Sequence, residues 1–305
     1  MAFIPKTWID RISEYPNRRT LTRADGSTDV VTVARNEGNV SQEGTPLDAA
    51  NLNDLEQRIA EAEEELLRDL ASARVRDISL GTSFTAEQQA DLAAGKMHRF
   101  PNGAYWQDGN RKWRIVDNAQ PYLNKGDTAF TRPHLVIMPD DNILKSDGST
   151  TKYMKDSNDT TGGYQATKYR QTYRAQCKAL FTAFFGASHI ATFRDLQTSA
   201  VANGHASNWS WVDADVELPS EIQVYGSNVW QADESAGYFG YDTGISFPQF
   251  ALFRLAPKYI TNRENWWLRN VVSAARFAIV YSYGLAASSG ASHTAVGLRP
   301  FALLI

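Results

Sequence analysis

Residues 271–298 read VVSAARFAIVYSYGLAASSGASHTAVGL, and the prediction of the fold starts from this stretch. It contains no Lys, Glu, Gln, Met, Trp or Asp, and its one formal charge is Arg276. A half-buried hairpin alternates apolar and polar residues, and this stretch does not. Tyr281 and Tyr283 precede a glycine and a loop of small residues over 285–292. Because tyrosine offers contact area at low entropic cost and Ser and Gly adapt to a partner, the composition favours a contact surface over a catalytic site.

The whole chain has the composition of a globular protein. Its 305 residues correspond to about two domains, and 43% hydrophobic content excludes full disorder. A net charge of −3 argues against a strongly basic nucleic-acid binder, so no nucleic-acid partner is expected. No window reaches 18 apolar residues, and residues 1–19 lack the apolar core of a secretory signal. We therefore predict neither a membrane span nor a secretory leader.

The first quarter of the chain predicts an attachment segment followed by a helix. Residues 1–48 are polar and β-like, with a hairpin turn at 24–27, and we expect them to pack on another chain. Residues 49–76 predict an amphipathic helix, which cannot bury its apolar stripe alone. Near-heptad spacing favours a short parallel coiled coil over a helix packed on its own domain. The stripe consists of Leu52, Leu55, Ile59, Ala62, Leu66, Leu70 and Ala73.

The rest of the chain predicts an α+β fold. Residues 77–120 indicate a small β connector with a helical turn capped by Thr85 and a hairpin at 105–116 whose tryptophans pack. Residues 121–305 indicate a larger domain with two helices and many short antiparallel strands. The predicted helices are 165–185 and 193–201, the second capped by Thr192. The predicted strands are 135–138, 216–218, 222–225, 250–253 and three within 263–305, the last of them buried at 301–305.

A longer stretch at 266–301, WWLRNVVSAARFAIVYSYGLAASSGASHTAVGLRPF, resembles the variable repeat of proteins that diversity-generating retroelements rewrite. That family carries a C-type-lectin-like fold and includes receptor-binding tail proteins of phages. Its repeat is rewritten at the adenines of Asn-type codons, a process that cannot yield Lys, Glu, Gln, Met or Trp. These five residue types are absent from 271–298.

Other segments resemble the same tail proteins. Three resemble the body of such proteins: HLVIMPDDNIL (134–144), NDTTGGY (158–164) and VELPSEIQVYGS (216–227). Two resemble the tail-attachment end of siphophage baseplate and fibre proteins: EYPNRR (14–19) and EGTPLDAANLNDLEQRI (43–59). Together these matches extend the resemblance to most of the chain.

The resemblance assigns roles within the variable region at 266–305. The positions that match the fixed scaffold are Trp266, Trp267, Leu268, Arg269, Phe277, Ala278, Val280, Gly284, Gly297, Arg299 and Pro300. The positions that it implies to be variable, and therefore ligand-facing, are Val272, Ser273, Arg276, Ile279, Tyr281, Ser282, Tyr283, Leu285, Ala287, Ser288, Ser289, Gly290, His293 and Ala295. A fold that tolerates such rewriting must not depend on the variable side chains for its core.

The resemblance implies a phage adhesin. Residues 1–48 dock onto the tail, residues 49–76 form a trimeric coiled coil, and residues 121–305 form a lectin-like head. The implied partners are two further copies of the chain, other tail or baseplate proteins, and a host-surface protein or glycan. The implied location is the virion, after synthesis in the bacterial cytoplasm. No cofactor, metal, catalytic residue or membrane insertion is implied, and three copies would raise a weak affinity through avidity.

Two other functions stay open at this point. The first is a structural tail or baseplate subunit whose C-terminal region contacts other subunits. The second is a glycan hydrolase, which needs two convergent carboxylates. The candidate carboxylates are Glu217, Glu221, Asp233 and Glu234.

The sequence disfavours a metal-binding site. The tripeptides of calcium-dependent sugar-binding lectins are missing, because Gln120-Pro121 is followed by Tyr122 and Asn208-Trp209 by Ser210. We expect the acidic residues at 213, 215 and 217 to form a solvated strand edge rather than a cation site.

Several single residues have both a structural and a functional interpretation. Cys177 lies in an apolar helical stretch, which favours an inert core thiol over a nucleophile. Trp209 and Trp211 favour core packing over a sugar platform. The five histidines show no metal-ligand spacing, and we expect His134 to be a hydrogen-bonded core residue and His293 to contact ligand.

Overall fold

The structure is a computed structural model and describes residues 5–9, 18–33, 48–118, 130–143, 152–230 and 249–305. The chain divides into two compact units, Met1–Leu66 and Leu67–Ile305. With 29% helix and 32% strand, the predicted α+β class is confirmed. Within these described ranges, every helix is too short or too polar to cross a membrane.

The first unit contains the predicted hairpin. Strands β1 (Arg18–Thr22) and β2 (Thr28–Thr32) pair antiparallel. In the turn between them, the Asp25 carboxylate accepts hydrogen bonds from the Ser27 backbone N–H and hydroxyl, at 3.0 and 2.6 Å. Every residue of β1 is exposed, so the hairpin has almost no core of its own. Much of the two attachment-end motifs, at 14–17 and 43–47, lies outside the described residues.

The predicted helix is confirmed as α1 (Ala49–Ala73), which starts in the first unit. The Asp48 carboxylate caps it by accepting a 2.9 Å hydrogen bond from the Asn51 N–H. Trp8 lies along the helix: its backbone N–H donates to the Asn53 carboxamide, its indole N–H donates to the Glu56 carboxylate, and its carbonyl accepts from the Asn53 carboxamide. The apolar stripe nevertheless stays open in the single chain, with five of its seven members exposed: Leu55, Ile59, Ala62, Leu66 and Ala73.

The second unit contains four further helices and ten further strands in its described part. In chain order they are α2 (Ala86–Ala93), β3 (Tyr105–Asp108), β4 (Arg111–Asp117), β5 (Leu135–Pro139), α3 (Arg174–Phe185), β6 (Phe193–Ala202), β7 (His205–Ala214), β8 (Val216–Glu217), α4 (Glu221–Tyr225), α5 (Ala251–Leu255), β9 (Trp266–Ser273), β10 (Arg276–Val280), β11 (Ala286–Gly290) and β12 (Phe301–Leu304). A five-stranded antiparallel sheet has the order β3-β4-β5-β12-β8, a three-stranded sheet has the order β11-β10-β9, and β6 pairs with β7.

Strands β5, β10 and β12 are buried on both faces, between two hydrophobic cores. The first core includes Trp106, Trp113 and Phe181, and the second includes Phe193, Phe250 and Phe253. In β10, Phe277 and Ile279 face the first core while Ala278 and Val280 face the second. Strands β5 and β12 alternate between the same two cores. Continuous apolar runs are expected where both faces of a strand are covered. This double burial explains why the stretch at 277–280 shows no apolar–polar alternation.

Several local predictions are confirmed. Thr85 caps α2 in a capping box with Gln88. Trp106 and Trp113 are fully buried in the first core, so these tryptophans pack as predicted. Cys177 is buried on α3, and this burial raises the pKa of its thiol to about 12. Such a thiol stays protonated at neutral pH, in agreement with an inert core residue.

Three secondary-structure predictions are wrong. The predicted helix at 193–201 is strand β6, because the Asn203-Gly204 turn pairs it with β7. The predicted strand at 222–225 is α4, which begins in a capping box formed by Ser220 and Gln223. The predicted strand at 250–253 is mainly helix α5.

The predicted division of the chain also differs from the structure. The connector proposed at 77–120 is not separate, because β4 pairs with β5 across the predicted boundary and both belong to the five-stranded sheet. One sheet with a shared core joins these segments into a single unit. The stretch 263–305 contains four strands instead of three, and the buried strand predicted at 301–305 is confirmed as β12.

Candidate binding surface at the β10–β11 turn

The turn that joins β10 to β11, residues 281–285, exposes large side chains and is called the tyrosine turn below. Its backbone closes through two hydrogen bonds, from Tyr281 N–H to the Leu285 carbonyl at 2.8 Å and from Gly284 N–H to the Tyr281 carbonyl at 2.7 Å. Gly284 has a φ of +87°, which favours glycine at this position. Tyr281, Tyr283 and Leu285 are 42%, 70% and 64% exposed. The two tyrosine ring centroids are 5.8 Å apart.

Side chains from elsewhere in the unit hold the backbone of the tyrosine turn. The Asn265 carboxamide accepts a 2.8 Å hydrogen bond from the Ser282 N–H. The Thr261 hydroxyl donates to the Ser282 carbonyl at 2.6 Å, and the Tyr225 hydroxyl donates to the Gly284 carbonyl at 3.2 Å. These contacts use no exposed side chain of the turn. The turn is therefore a fixed platform whose exposed side chains do not maintain its shape.

A cleft of about 350 Å³ shares Ser282 with this turn. Asn142, 6% exposed, is one of its lining residues. Its carboxamide N–H donates to the Glu264 carboxylate at 2.9 Å and to the Asn265 carbonyl at 3.2 Å, and its oxygen accepts from Asn262 at 3.2 Å. We call this the amide cleft, and its lining residues are Asn142, Arg263, Glu264, Asn265, Ser282, Ala295, Val296 and Gly297.

Gly297 makes the position of Asn142 possible. A Cβ atom at residue 297 would collide with the Asn142 side chain. Gly297 also accepts a 3.0 Å hydrogen bond from the Trp267 N–H and donates one of 2.8 Å to the Asn265 carbonyl. This glycine therefore connects the amide cleft to β9.

The positions expected to be fixed are buried, apart from Gly284, which is half-buried in the turn. Arg269 pairs with the buried Asp195 carboxylate. Arg299 is fully enclosed and donates to the Pro139 carbonyl at 2.8 Å and to the Tyr259 carbonyl at 3.0 Å. Burial lowers the pKa of Arg299 to about 10. Both arginines are parts of the interior frame.

The positions expected to be variable divide into three groups. Six are exposed: Arg276, Tyr281, Tyr283, Leu285, His293 and Ala295. Six are half-buried: Val272, Ser273, Ser282, Ala287, Ser288 and Gly290. Two are buried: Ile279 and Ser289. The exposed side chains are therefore concentrated at the tyrosine turn, the start of β10 and the loop after β11.

Three of the expected ligand-facing positions are corrected. Ile279 faces the first core, because the central strand β10 is covered on both faces. Ser289, on the neighbouring edge strand β11, is 8% exposed. Gly290 is occupied by a neighbour, since a Cβ there would collide with the Asn158 carboxamide. That carboxamide accepts hydrogen bonds from the Ser292 N–H and hydroxyl at 3.1 and 2.9 Å. A larger residue at 290 would displace this support of the loop.

The acidic residues at 213, 215 and 217 form ion pairs, and the predicted solvated edge is wrong except at Asp213, which is exposed and pairs with Arg194 at 3.1 Å. Asp215 pairs with Arg174 at 2.9 Å and with Lys178 at 2.8 Å. Glu217 is fully buried, pairs with Arg170 and accepts a 2.8 Å hydrogen bond from the Tyr164 hydroxyl. Burial raises the pKa of Glu217 to about 7. Among the described residues, no group of three or more His, Cys, Asp or Glu side chains could hold a metal ion.

Two of the four carboxylates considered for glycan hydrolysis are committed to structural contacts. Glu217 belongs to the ion-pair network. The Glu221 carboxylate accepts hydrogen bonds from the backbone N–H groups of Val229 and Trp230, at 3.2 and 3.0 Å. Asp233 and Glu234 lie outside the described residues, as do Gln120, Pro121 and Tyr122.

The remaining candidates have clear placements. His134 is buried and its ring hydrogen-bonds to the Arg132 carbonyl at 2.8 Å, as predicted. Trp209 packs against the first core and Trp211 against the second, which agrees with the packing interpretation. His293 is exposed in the loop after β11.

The amide cleft was not predicted from the sequence. Its signal is the polar tetrapeptide Asn262-Arg263-Glu264-Asn265 directly before Trp266. Asn142 gave no such signal, because its place in the cleft depends on packing between distant segments.

Comparison with known protein families, with curated proteins and with solved structures gives no match to this chain.

Proposed function

We propose that this chain is a receptor-binding tail protein of a phage, an adhesin whose tyrosine turn contacts the host surface. The observation that carries the proposal is the separation of roles within 266–305. The side chains expected to be fixed form the interior frame, while Tyr281, Tyr283 and Leu285 are exposed on a turn that they do not hold together. The resemblance of 266–301 to a variable repeat supplies the biological context.

The proposal includes a C-type-lectin-like head with a diversified surface. The rewriting that the resemblance implies requires positions where a side chain can change without disturbing the core. Tyr281, Tyr283, Leu285, His293 and Ala295 meet that requirement through their exposure. Ile279, Ser289 and Gly290 are left out of the proposed contact surface.

The proposal also includes trimerisation through α1 and attachment of the N-terminal segment to the tail. Support comes from the open apolar stripe of α1, which requires a partner. The three large exposed side chains of the tyrosine turn offer a contact area much smaller than the roughly 800 Å² that each partner buries in a standard protein–protein interface. Three linked copies would convert weak single contacts into firm attachment.

The experiment that tests the proposal replaces both tyrosines, Tyr281→Ala with Tyr283→Ala, in phage particles that carry this chain. We expect the free energy of unfolding of the purified variant to change by about 1 kcal/mol or less, because both side chains are exposed. Adsorption of the particles to host cells should fall at least tenfold. Trp230→Ala, which removes an exposed aromatic side chain outside the turn, should leave adsorption unchanged.

Two outcomes would count against receptor binding. Normal adsorption by the double variant would remove the tyrosine turn from attachment. Loss of particle assembly with intact folding would favour the structural tail or baseplate subunit instead.

A further inference from the structure

We infer that the amide cleft is a metal-independent subsite for one saccharide unit of a host-surface glycan, with the tyrosine turn beside it. The inference deepens the proposed function and rests on it, since it names the class of ligand that the same surface binds.

The chemistry of the cleft lining favours a polyhydroxyl ligand. The Asn265 carboxamide, the Glu264 carboxylate and the Ser282 hydroxyl supply both donors and acceptors within one cleft, and the buried Asn142 carboxamide, whose groups are already paired, positions Glu264 and Asn265. Neighbouring hydroxyl groups of a sugar need this mixture, because each can donate and accept. An apolar ligand would leave these groups without the hydrogen bonds that water gives them.

The groups of the cleft are fixed before any ligand arrives. Asn142 is buried and makes three hydrogen bonds, to Glu264, Asn265 and Asn262. The Asn265 carboxamide oxygen is held by the Ser282 N–H. Preorganised groups lose little conformational entropy on binding, which matters for a small ligand with few contacts.

The size and the position of the cleft favour a glycan over a protein. Its volume of about 350 Å³ is that of a small-molecule pocket, at the lower end of the usual range of about 300–1,000 Å³. The exposed rings of Tyr281 and Tyr283 lie on the turn that contributes Ser282. Aromatic faces stack on the C–H faces of sugar rings, so a chain extending from the cleft has a surface to follow.

The residues that line the cleft favour direct hydrogen bonds to the saccharide over binding through a metal ion. Among the described lining residues, Glu264 supplies the one carboxylate. A calcium ion takes six to eight oxygen ligands, several of them carboxylates. The Asn142 oxygen is already engaged by Asn262. Binding should therefore be insensitive to EDTA.

The test uses the full purified chain and two tryptophan variants. Ala295→Trp places a large ring in the mouth of the cleft, at an exposed position that lines it. Ala202→Trp is the matched control, at an exposed position where the β6–β7 hairpin turns. Binding is measured to host cells, to periodate-oxidised cells, to protease-treated cells, and to polysaccharide extracted from the same cells.

We expect the unaltered chain to bind untreated and protease-treated cells and the extracted polysaccharide, with or without EDTA. Periodate treatment should abolish binding. Ala295→Trp should bind the polysaccharide at least tenfold more weakly, and Ala202→Trp should bind normally.

The possible failures are distinguishable. Binding that survives periodate and is lost after protease treatment would overturn the glycan inference in favour of a protein receptor, and the proposed function would stand. Full binding by Ala295→Trp would remove the cleft from recognition. Loss of binding with EDTA would overturn the metal-independent mode. No binding to any untreated host cell would overturn the proposed function and the inference together.

Discussion

The Thr261 hydroxyl donates a 2.6 Å hydrogen bond to the Ser282 carbonyl, and the same hydroxyl accepts one of 3.0 Å from the Arg263 N–H. One side chain thus fixes both the tyrosine turn and a wall of the amide cleft. Thr261 lies outside the region 266–305. The shape of the contact surface is therefore set in part by a residue that the proposed diversification does not reach.

Thr261→Val keeps the shape of the side chain and removes both hydrogen bonds. We expect the free energy of unfolding to fall by about 1–2 kcal/mol, since each net hydrogen bond contributes about 0.5–1.5 kcal/mol. Urea denaturation measures the change. Thr182→Val is the control, because the one hydrogen bond of that hydroxyl among the described residues goes to the Ala179 carbonyl of its own helix, and its loss should cost much less. Equal losses in the two variants would contradict the role given to Thr261.

Gly297→Ala should destabilise the protein more than Gly290→Ala. The added methyl group meets a buried Asn142 at the first position and an exposed Asn158 at the second, and only the exposed side chain can move aside easily. We expect a loss of about 2–3 kcal/mol at 297 and about 1 kcal/mol at 290, by denaturant titration.

A double-variant cycle tests the cause of the loss at 297. Because Asn142→Gly removes the whole colliding side chain, its Cβ included, the combined Asn142→Gly and Gly297→Ala variant should lose less stability than the sum of the single losses. Strict additivity would show that the two residues are not in conflict.

Glu217 predicts a pH dependence of stability. Its pKa is raised by burial from 4.5 to about 7. Between these two values the folded protein keeps a proton that the unfolded chain has released, so the free energy of unfolding falls as the pH rises. The slope is at most about 1.4 kcal/mol per pH unit.

Glu217→Gln removes this contribution. The unfolding free energy of the unaltered protein minus that of the variant should decrease from pH 4.5 to pH 7 and then level off. Urea titrations across that range measure it. A difference that grows with pH would mean instead that Arg170 keeps the carboxylate ionised.

Ile59→Lys should reduce the proposed trimer to a monomer, because it places a charge in the centre of the exposed stripe of α1. Sedimentation of the full chain measures the change. Gln57→Lys is the matched control, since residue 57 lies outside the stripe in the heptad that includes Leu55 and Ile59. A monomeric unaltered chain, or equal effects of both lysines, would contradict self-association through α1.

The charges beside the stripe predict parallel pairing. Arg58 precedes Ile59 and Glu63 follows Ala62, which are the g and e positions that face each other between parallel helices. Arg58→Glu should weaken the proposed trimer, and adding Glu63→Arg should restore it. Failure of the second change to restore the trimer would rule out this register.

The sequence predicted elements whose signals are local. The capping box of Thr85, the hairpin turns and the spacing of α1 each lie within a few residues. Helix α4 has the same kind of signal at Ser220 and Gln223 and could have been recognised. Helix α5 could not, because the carboxylate that binds its first N–H group, at 2.8 Å, belongs to Asp117 on β4.

The residue composition of the candidate site could be predicted from the sequence, but the spatial arrangement of its residues could not. The unusual residue content of 271–298 pointed to a contact surface, and the fixed positions matched buried ones. The amide cleft needs Asn142, the residues at 262–265 and Gly297 side by side, and only the packed sheets bring them together. For the same reason, the inward direction of Ile279 followed from the first core, against which it packs, and not from its neighbours in sequence.

The position of β12 has a consequence for any process that rewrites the preceding stretch. This strand follows residues 271–298 in the chain, yet it lies between β5 and β8 inside the larger sheet. A frameshift or a premature stop codon anywhere in that stretch removes the sequence of this strand, and the sheet loses an internal member. Out-of-frame products would not fold, and cellular proteases would degrade them. Only in-frame variants would therefore accumulate as folded protein.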